Sequence, residues 1–272
     1  MKDAMKPTKI ELVIFDWAGT TIDHGCFAPI SAFIKAFKAC GVELTPAQAR
    51  GPMGLHKRDH IRCLFQIEEI AAQWKAIHQS PWSESDVEHI YETFTPLQVD
   101  EAQNYTDLIS GVSETVSQLK ERGIKIGATT GYPRIVLDPI LKTAEAQGYA
   151  PDFTMCADEV PAGRPAPWMI YRNMEALNIF PPDSVLKVGD TVPDIEAGIN
   201  AGTWTVGLTQ TGSEVGLTVA EFDALNNDQQ HKLLQTAETK LKNAGAHFVI
   251  PTLKELPEII NQIESGEHEN GR

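Results

Sequence analysis

The chain has 272 residues, 42% of them hydrophobic, which is enough for one α/β domain with a smaller inserted module. Its formal net charge of -14 and its lack of a basic stripe exclude nucleic acid as a partner. A small phosphorylated anion is not excluded, because a few cations can converge locally on such a ligand.

The first predicted element is an apolar, β-branched run, Ile10–Phe15, that ends at Asp16. The run predicts a buried parallel strand that delivers Asp16 into a loop, where the turn residues Ala18 and Gly19 follow. A carboxylate in that position, beside exposed backbone N–H groups, can attack a phosphoryl group. The same residue could also simply cap a turn or helix, so the later segments have to decide.

From about residue 25 to residue 103 only helical patterns occur. The predicted helices are Ile30–Cys40, Pro46–Arg50, Arg58–His78 and Glu84–Glu101. We therefore predict a catalytic core of residues 1–24 and 104–272, and an all-helical cap of residues 25–103. The hinges are expected near Thr21–Gly25 and Asn104–Gly111.

Strands and helices alternate through the rest of the chain. The predicted strands are Ile124–Thr129, Ser184–Val188, Thr203–Gly207 and His247–Ile250. The predicted helices are Val112–Arg122, Arg134–Gln147, Trp168–Leu177, Pro193–Ala201 and Leu253–Glu264. Such alternation predicts right-handed βαβ units, and hence an α/β fold with a doubly wound, Rossmann-like, mostly parallel sheet. Ligands of these sheets bind beyond the carboxyl ends of the strands.

Polar groups suited to phosphate chemistry follow three of these segments. In ATTGY, Thr130 and the Gly131 amide can hold a phosphoryl oxygen, and in AGRP the Arg164 guanidinium can bind two oxygens at once. In VGDTVPD, Asp190 and Asp194 offer the hard oxygen ligands that Mg²⁺ prefers. Taken singly, each has a plainer interpretation: a strand-ending turn, a solvated arginine or a helix-capping pair.

The segments DWAGTT, ATTGY, AGRP and VGDTVPD, in this order, resemble the motifs of the haloacid dehalogenase-like superfamily. The resemblance implies that Asp16 attacks phosphorus and that Asp190 binds Mg²⁺, with Asp194 in support. One position departs from the superfamily's phosphatases, which usually carry a second aspartate two residues after the nucleophile as an acid for the leaving oxygen. Here that residue is Ala18. An enzyme without this acid is expected to cleave phosphate esters poorly.

Lys57, in the cap segment GPMGLHKRDH, suggests a different leaving group. A lysine amine that condenses with an aldehyde forms an iminium, which can accept the electrons of a breaking carbon–phosphorus bond. The amine must be uncharged for this, although an ordinary lysine is charged at neutral pH. We expect neighbouring cations (His56, Arg58 and His60) and a helix beginning near Gly54 to lower the Lys57 pKa.

The chain also resembles the phosphonoacetaldehyde hydrolase family, through FDWAGTT, GCFAP, the PMGLHKRDH stretch, TTGY, PAGRP and KVGDT. The resemblance implies a Schiff base on Lys57, a proton-relaying His60, and metal ligation by Asp16, the Ala18 carbonyl and Asp190. It also implies phosphate contacts from Thr130, Gly131 and Arg164, and a site lined by Met53, Cys26 and Tyr132. It further implies a small phosphonate substrate and a homodimer packed through the cap.

Plainer roles exist for several of these residues: His60 as a capping or core histidine, Met53 as packing and Cys26 as a small buried residue. Two other functions also fit the fold, a capped sugar-phosphate phosphatase or mutase and an inactive phospho-ligand sensor.

No run approaches the ~18 apolar residues of a membrane span. The polar start MKDAMKPTK lacks a signal segment, and the four scattered cysteines suggest neither zinc nor disulfides. We therefore expect a cytoplasmic protein without membrane contact.

Overall fold

A computed structural model describes residues 9–267, so the N-terminal segment used for the cytoplasmic prediction lies almost entirely outside the described residues. Within residues 9–267 there are six strands, β1 Leu12–Phe15, β2 Lys125–Thr130, β3 Phe153–Cys156, β4 Val185–Gly189, β5 Trp204–Leu208 and β6 Phe248–Ile250. All neighbours pair in parallel in the order β3-β2-β1-β4-β5-β6. The doubly wound α/β fold is thereby confirmed. Because β1 is central, its carboxyl end opens where the strand order reverses.

Five helices follow β1: α1 Ala28–Ala39, α2 Pro46–Arg50, α3 Lys57–Phe65, α4 Glu68–His78 and α5 Glu84–Ala102. Their inward side chains form a cluster of their own, in which Phe33 stacks on Phe94 and Phe65 meets Trp74 edge to face. We call this helical unit the cap. Its boundaries at residues 25 and 103 stay a prediction.

The other helices flank the sheet. They are α6 Val112–Glu121, α7 Arg134–Ala146, α8 Trp168–Leu177, α9 Val192–Ala201, α10 Val219–Asp223, α11 Asn227–Asn243 and α12 Leu256–Ser265. One apolar cluster lies on each side of β1, because Val13 and Phe15 face one side and Leu12 and Ile14 the other. This arrangement explains why the first strand is apolar throughout instead of alternating.

Four elements differ from the predictions. The predicted single helix Arg58–His78 is wrong, since Gln66 ends α3 and the extended backbone of Ile67 precedes α4. The strand β3 was not predicted, because it is an edge strand whose first three residues are only half buried. The helices α10 and α11 were not predicted either; their mostly polar surfaces bury few apolar residues. No helix within residues 9–267 is long and apolar enough to cross a membrane.

Candidate active site

Asp16 follows β1 directly and is held by residues of the neighbouring strands. Its backbone N–H donates to the carbonyl of Val188 (2.9 Å), and its Oδ1 accepts a hydrogen bond from Nη2 of Arg164. The same Nη2 donates to the carbonyl (2.9 Å) and the hydroxyl (3.0 Å) of Thr129 on β2. Both partners of the ion pair are buried, which makes the guanidinium a fixed positive charge beside the carboxylate.

Three buried carboxylates, Asp16, Asp190 and Asp194, have oxygens within 4.8 Å of one another. Asp190 accepts from the hydroxyl of Thr20 (3.1 Å) and from the backbone N–H of Ser213 (2.7 Å). Burial, together with the neighbouring carboxylates, raises the pKa of Asp190 well above its ordinary value. Burial also raises the pKa of Asp16, against the opposing charge of Arg164.

A cation fits this cluster. Hard carboxylate oxygens are the ligands that Mg²⁺ prefers, and a dication would offset the burial and the mutual repulsion that raise the pKa values of Asp16 and Asp190. The turn after β1 is shaped for close approach to the cluster. Gly19 has φ +84°, and a Cβ at that position would lie 2.5 Å from Asp190 Oδ2. Only glycine satisfies both conditions.

Asp194 differs from the other two carboxylates because both of its oxygens are already engaged. Its Oδ1 accepts from Lys187 Nζ (2.6 Å) and pairs with Arg164 Nη1 (3.0 Å), and its Oδ2 accepts from the Thr191 hydroxyl (2.6 Å). Although burial raises the pKa of Asp194, Arg164 and Lys187 outweigh it and hold that pKa below its ordinary value. This geometry is that of a residue that orients Arg164.

Lys187 is a residue that the sequence analysis missed. It is fully buried in β4, and its Nζ also donates to the Val188 carbonyl at 2.8 Å. The signal was a lysine inside an otherwise apolar strand, which without a visible partner looks like an edge residue. Burial lowers the Lys187 pKa, and Asp194 opposes that shift.

On the cap side, Lys57 is the first residue of α3, and His56 caps the helix by accepting from the Arg58 N–H at 3.4 Å. The Lys57 side chain is buried, and its Nζ lies 5.6 Å from the ring centroids of both Phe33 and Tyr132. Burial lowers the pKa of Lys57 to about 8. The predicted lowering of the Lys57 pKa is confirmed, but its main cause is burial, and the cation that contributes to it is Arg164 of the core instead of His56, Arg58 or His60.

Lys57 and Asp16 line one cavity at the boundary of cap and core. Its walls are formed by Asp16, Ala18, Cys26, Pro29, Met53, Gly54, Lys57, Thr130, Gly131, Tyr132, Arg164 and Thr191. The free space is about 20 Å³. That is about enough for one water molecule. The cap is therefore closed against the core, and entry of any larger ligand requires it to move.

Nine of the predicted site residues thus share this cavity. Asp190 and Asp194 lie behind Asp16, while His60 is not among the lining residues of the described chain. His60 is buried in the cap, stacked on Phe33 with ring centroids 3.9 Å apart. Its Nε2 lies 2.9 Å from the Ala49 carbonyl, which only accepts, so Nε2 carries the proton. Burial, with some help from Lys57, keeps the pKa of His60 well below its ordinary value, and the ring is neutral.

Three further lining residues give the cavity its apolar character. Met53 is buried, and the pKa values of the Cys26 thiol and the Tyr132 hydroxyl are raised well above their ordinary values, chiefly by burial. Both groups are therefore neutral at physiological pH. Cys26 is not a thiolate nucleophile, because that role needs a lowered pKa.

A larger cavity of about 560 Å³ lies at the two connections between cap and core, lined by residues such as Phe27, Tyr105 and Ile109. Among the described residues, its walls contain neither Lys57 nor any member of the carboxylate cluster. Size alone does not make it the reaction site. The small cavity holds the residues that can perform chemistry.

The chain has the sheet order of the capped haloacid dehalogenase-like hydrolases, and Asp16 follows β1 beneath a helical cap. These two features place it in that class. The family described as haloacid dehalogenase-like hydrolase matches residues 10–202, and a second hydrolase-like family of the same class matches residues 161–256. The similarity to a β-phosphoglucomutase from Clostridium difficile, at 17% identity and a TM-score of 0.66, concerns the fold alone.

Other proteins are far more similar. A phosphonoacetaldehyde hydrolase from Bacillus cereus strain G9842 is 46% identical over 259 residues, which is 95% of this chain and 98% of that protein. The crystal structure of a phosphonoacetaldehyde hydrolase-like protein from Oleispira antarctica matches with a TM-score of 0.94 and 39% identity, covering 97% of this chain and 96% of that one. The chain belongs to the phosphonoacetaldehyde hydrolase family.

Proposed function

We propose that this protein hydrolyses the carbon–phosphorus bond of phosphonoacetaldehyde, giving acetaldehyde and phosphate. One observation carries the proposal: a buried lysine amine of lowered pKa and a buried aspartate line the same cavity, one from the cap and one from the core. The names of the relatives support the substrate. An aldehyde and a phosphoryl group, separated by one methylene carbon, are the two functional groups that such a pair can engage.

In the first step the uncharged Lys57 amine adds to the aldehyde and water is lost; uptake of one proton, the one that Lys57 gave up to become uncharged, leaves a protonated imine. A lowered pKa favours this step, since the amine must carry a free electron pair. The iminium is the electron sink that the reaction needs, because a bare carbanion is a very poor leaving group. The cap supplies this group, so the reaction depends on cap closure.

In the second step the Asp16 carboxylate attacks phosphorus, the carbon–phosphorus bond breaks, and its electron pair passes into the imine to form an enamine. Arg164 and Thr130, with the Gly131 amide, contact the phosphoryl oxygens in this proposal. Asp194 acts through Arg164, whose Nη1 it holds at 3.0 Å. Fixed donors of this kind need no rearrangement during the reaction.

In the last steps water hydrolyses the acyl phosphate on Asp16 and releases phosphate. The enamine takes up a proton on carbon, and a second water hydrolyses the resulting imine to acetaldehyde and free Lys57. Since imine formation released one water, the net reaction consumes one. We propose His60 as a relay for these protons and Met53, Cys26 and Tyr132 as the wall around the two-carbon unit.

We propose Mg²⁺ as the cofactor, held by the carboxylates of Asp16 and Asp190 and the Ala18 carbonyl. When bound, it supplies positive charge that offsets the charges of the phosphoryl oxygens and of the carboxylates. The raised pKa values of Asp16 and Asp190 support this assignment, because burial and the neighbouring carboxylates disfavour the charges of both groups and a bound cation would favour them.

Ester hydrolysis is the competing function. It would need an acid for the leaving oxygen, and Ala18 cannot provide one. An inactive sensor is the second competitor, but it would have no use for a buried amine of lowered pKa. If the protein hydrolyses esters, replacing Lys57 should leave ester hydrolysis intact. If it is an inactive sensor, there is no reaction for the replacement to abolish.

Borohydride reduction tests the proposal. With phosphonoacetaldehyde present, reduction should add a two-carbon or phosphonoethyl group to Lys57, detected by peptide mass spectrometry, and should inactivate the enzyme. Lys57→Arg should show neither adduct nor phosphate release, and phosphate esters run in parallel should be turned over poorly. Wild-type rates in Lys57→Arg would rule the mechanism out.

We also propose a homodimer packed through the cap. Among the described residues, the large exposed apolar side chains include Ile77 on the cap but also Trp168, Tyr171 and Phe180 on the core. Light scattering would give the oligomeric state. Charged substitutions at Ile77 and at Phe180, made separately, would then show which face forms the contact.

A further inference from the structure

Arg50 is a cap residue whose side chain crosses to the core. It ends α2, and its Nη1 donates to the carbonyls of Gly25 (2.6 Å) and Ser213 (3.2 Å), while its Nη2 donates to the carbonyl of Gly216 (3.4 Å). Its Cζ also lies 5.4 Å from the centroid of the Phe27 ring. The guanidinium thus joins cap, hinge and a core loop, which we define as residues 209–217.

The core loop is fitted to this guanidinium. Gly216 has φ +62°, and a Cβ there would lie 2.6 Å from Arg50 Cζ. Any other residue would therefore push the guanidinium away. The three acceptors are backbone carbonyls, which carry no net charge, so the contact can open and re-form without leaving a buried ion unpaired.

The same loop holds a residue of the carboxylate cluster. The backbone N–H of Ser213 donates to Asp190 Oδ2 at 2.7 Å, while the Ser213 carbonyl accepts from Arg50. A single residue therefore connects the cap to a proposed metal ligand. On the cap side, the Met53 N–H donates to the Arg50 carbonyl at 3.0 Å, so Arg50 also anchors the turn that leads to Lys57.

We propose that Arg50 is a positioning residue that latches the cap in its closed state and, through Ser213, couples that closure to the geometry of Asp190. For the reaction itself this inference rests on the proposed function. The latch does not touch substrate. It brings the segment that carries Lys57 against the core and, in the same contact, fixes the loop that orients Asp190.

The test compares Arg50→Gln and Arg50→Lys with Arg62→Gln as a matched control. Arg62 pairs with Asp59 and Glu84 inside the cap, so its loss removes a cap arginine without touching the core. Hydrogen exchange of the peptides covering residues 50–57 and 209–217 reports closure. A titration with Mg²⁺ alone, followed by thermal unfolding, reports on Asp190.

Arg50→Gln should raise exchange in both peptides and weaken Mg²⁺ binding by ~10-fold, the scale of one lost hydrogen bond to a charged group. Arg50→Lys, which keeps the charge but not the fork, should fall between Arg50→Gln and wild type, and Arg62→Gln should match wild type. If Arg50→Gln hydrolyses phosphonoacetaldehyde, kcat should fall more than KM rises.

Unchanged exchange in the 209–217 peptide of either Arg50 variant, or unchanged Mg²⁺ binding in Arg50→Gln, overturns the inference. If Arg50→Gln does not fold, the exchange of the 209–217 peptide in Arg50→Lys still tests the inference. Neither measurement requires turnover, so the latch is judged separately from the proposed reaction. A wild-type protein that releases no phosphate from phosphonoacetaldehyde would refute the function and leave the exchange result intact.

Discussion

Lys57 and Gly131 face each other across the boundary of cap and core, so closely that a Cβ on Gly131 would lie 3.9 Å from Lys57 Nζ. The amine of the cap thus lies against the backbone turn that we propose to hold phosphoryl oxygens. A substrate whose aldehyde carbon is two bonds from phosphorus fits between these groups. The contact also explains why the lysine is buried, and burial in turn sets its chemistry.

The rate of imine formation should follow the Lys57 titration. Burial lowers the Lys57 pKa from 10.5 to about 8, so the free amine becomes abundant above about pH 8 instead of above pH 10. Below that point, trapping by borohydride at fixed substrate should rise by about tenfold per pH unit, because each unit raises the free fraction tenfold. Mass spectrometry of the Lys57 peptide from pH 6 to 9.5 would measure it. A rise that continues unchanged up to pH 9.5 would show an ordinary lysine and contradict the assignment.

Replacing Lys57 should stabilise the protein while it abolishes the reaction. At pH 7 the buried amine is mostly protonated, and burying its charge reduces the stability of the folded protein. The size of this cost follows from the pKa shift, from 10.5 in the unfolded chain to about 8 in the folded protein. Lys57→Met should therefore raise the free energy of unfolding by about 1–3 kcal/mol. Urea denaturation at pH 7 measures the gain, which should shrink as the pH rises from 8 towards 10.5 and the wild-type amine loses its proton. The exposed Lys75→Met on α4 should change little. A destabilised Lys57→Met would refute the argument.

Much of this site could be predicted from sequence because its groups follow strands. Asp16, Thr130 and Asp190 each end an apolar run, and the carboxyl ends of parallel strands meet at one edge. The cap was recognised for a similar reason, since the helical period replaces the alternation of strands and helices. Patterns of this kind depend on residues that are close in the sequence, so they can be recognised without knowing the tertiary contacts.

What could not be predicted depends on long-range contacts. The partner of Lys187 lies seven residues away on another element, so burial of the pair was invisible in the strand pattern. The cause of the Lys57 pKa shift was misjudged because residues adjacent in sequence were counted, whereas closure of the cap against the core removes the water. Strand β3 was missed because half-exposed edges lack a clear apolar period.

Metal binding should appear as a gain in stability that depends on Asp190. Mg²⁺ binds the native cluster and not the unfolded chain, so a concentration of 100 Kd should stabilise the wild type by about 2.7 kcal/mol. Asp190→Asn should lose most of this gain. Without Mg²⁺ the same variant should be no less stable than wild type, because burial and repulsion already raise the pKa of Asp190. Thermal unfolding with and without Mg²⁺ or EDTA separates the two effects. Equal Mg²⁺ gains in both proteins would place the metal elsewhere.

The Lys187–Asp194 pair should behave as a structural support of Arg164. Lys187→Met removes one of the two cations that face the buried Asp194 and leaves Arg164 as the other, so the variant should be less stable by about 1.5–3 kcal/mol, the scale of one hydrogen bond to a charged group. In Lys187→Met/Asp194→Leu no carboxylate is left unpaired in β4 and α9, and stability should partly recover. Activity should not recover, because Arg164 loses the 3.0 Å contact of its Nη1 with Asp194 and no longer faces Asp16 in a fixed orientation. Urea unfolding and phosphate release, measured on the same three proteins, give the comparison. If the double variant regains activity along with stability, Asp194 has no role in positioning Arg164.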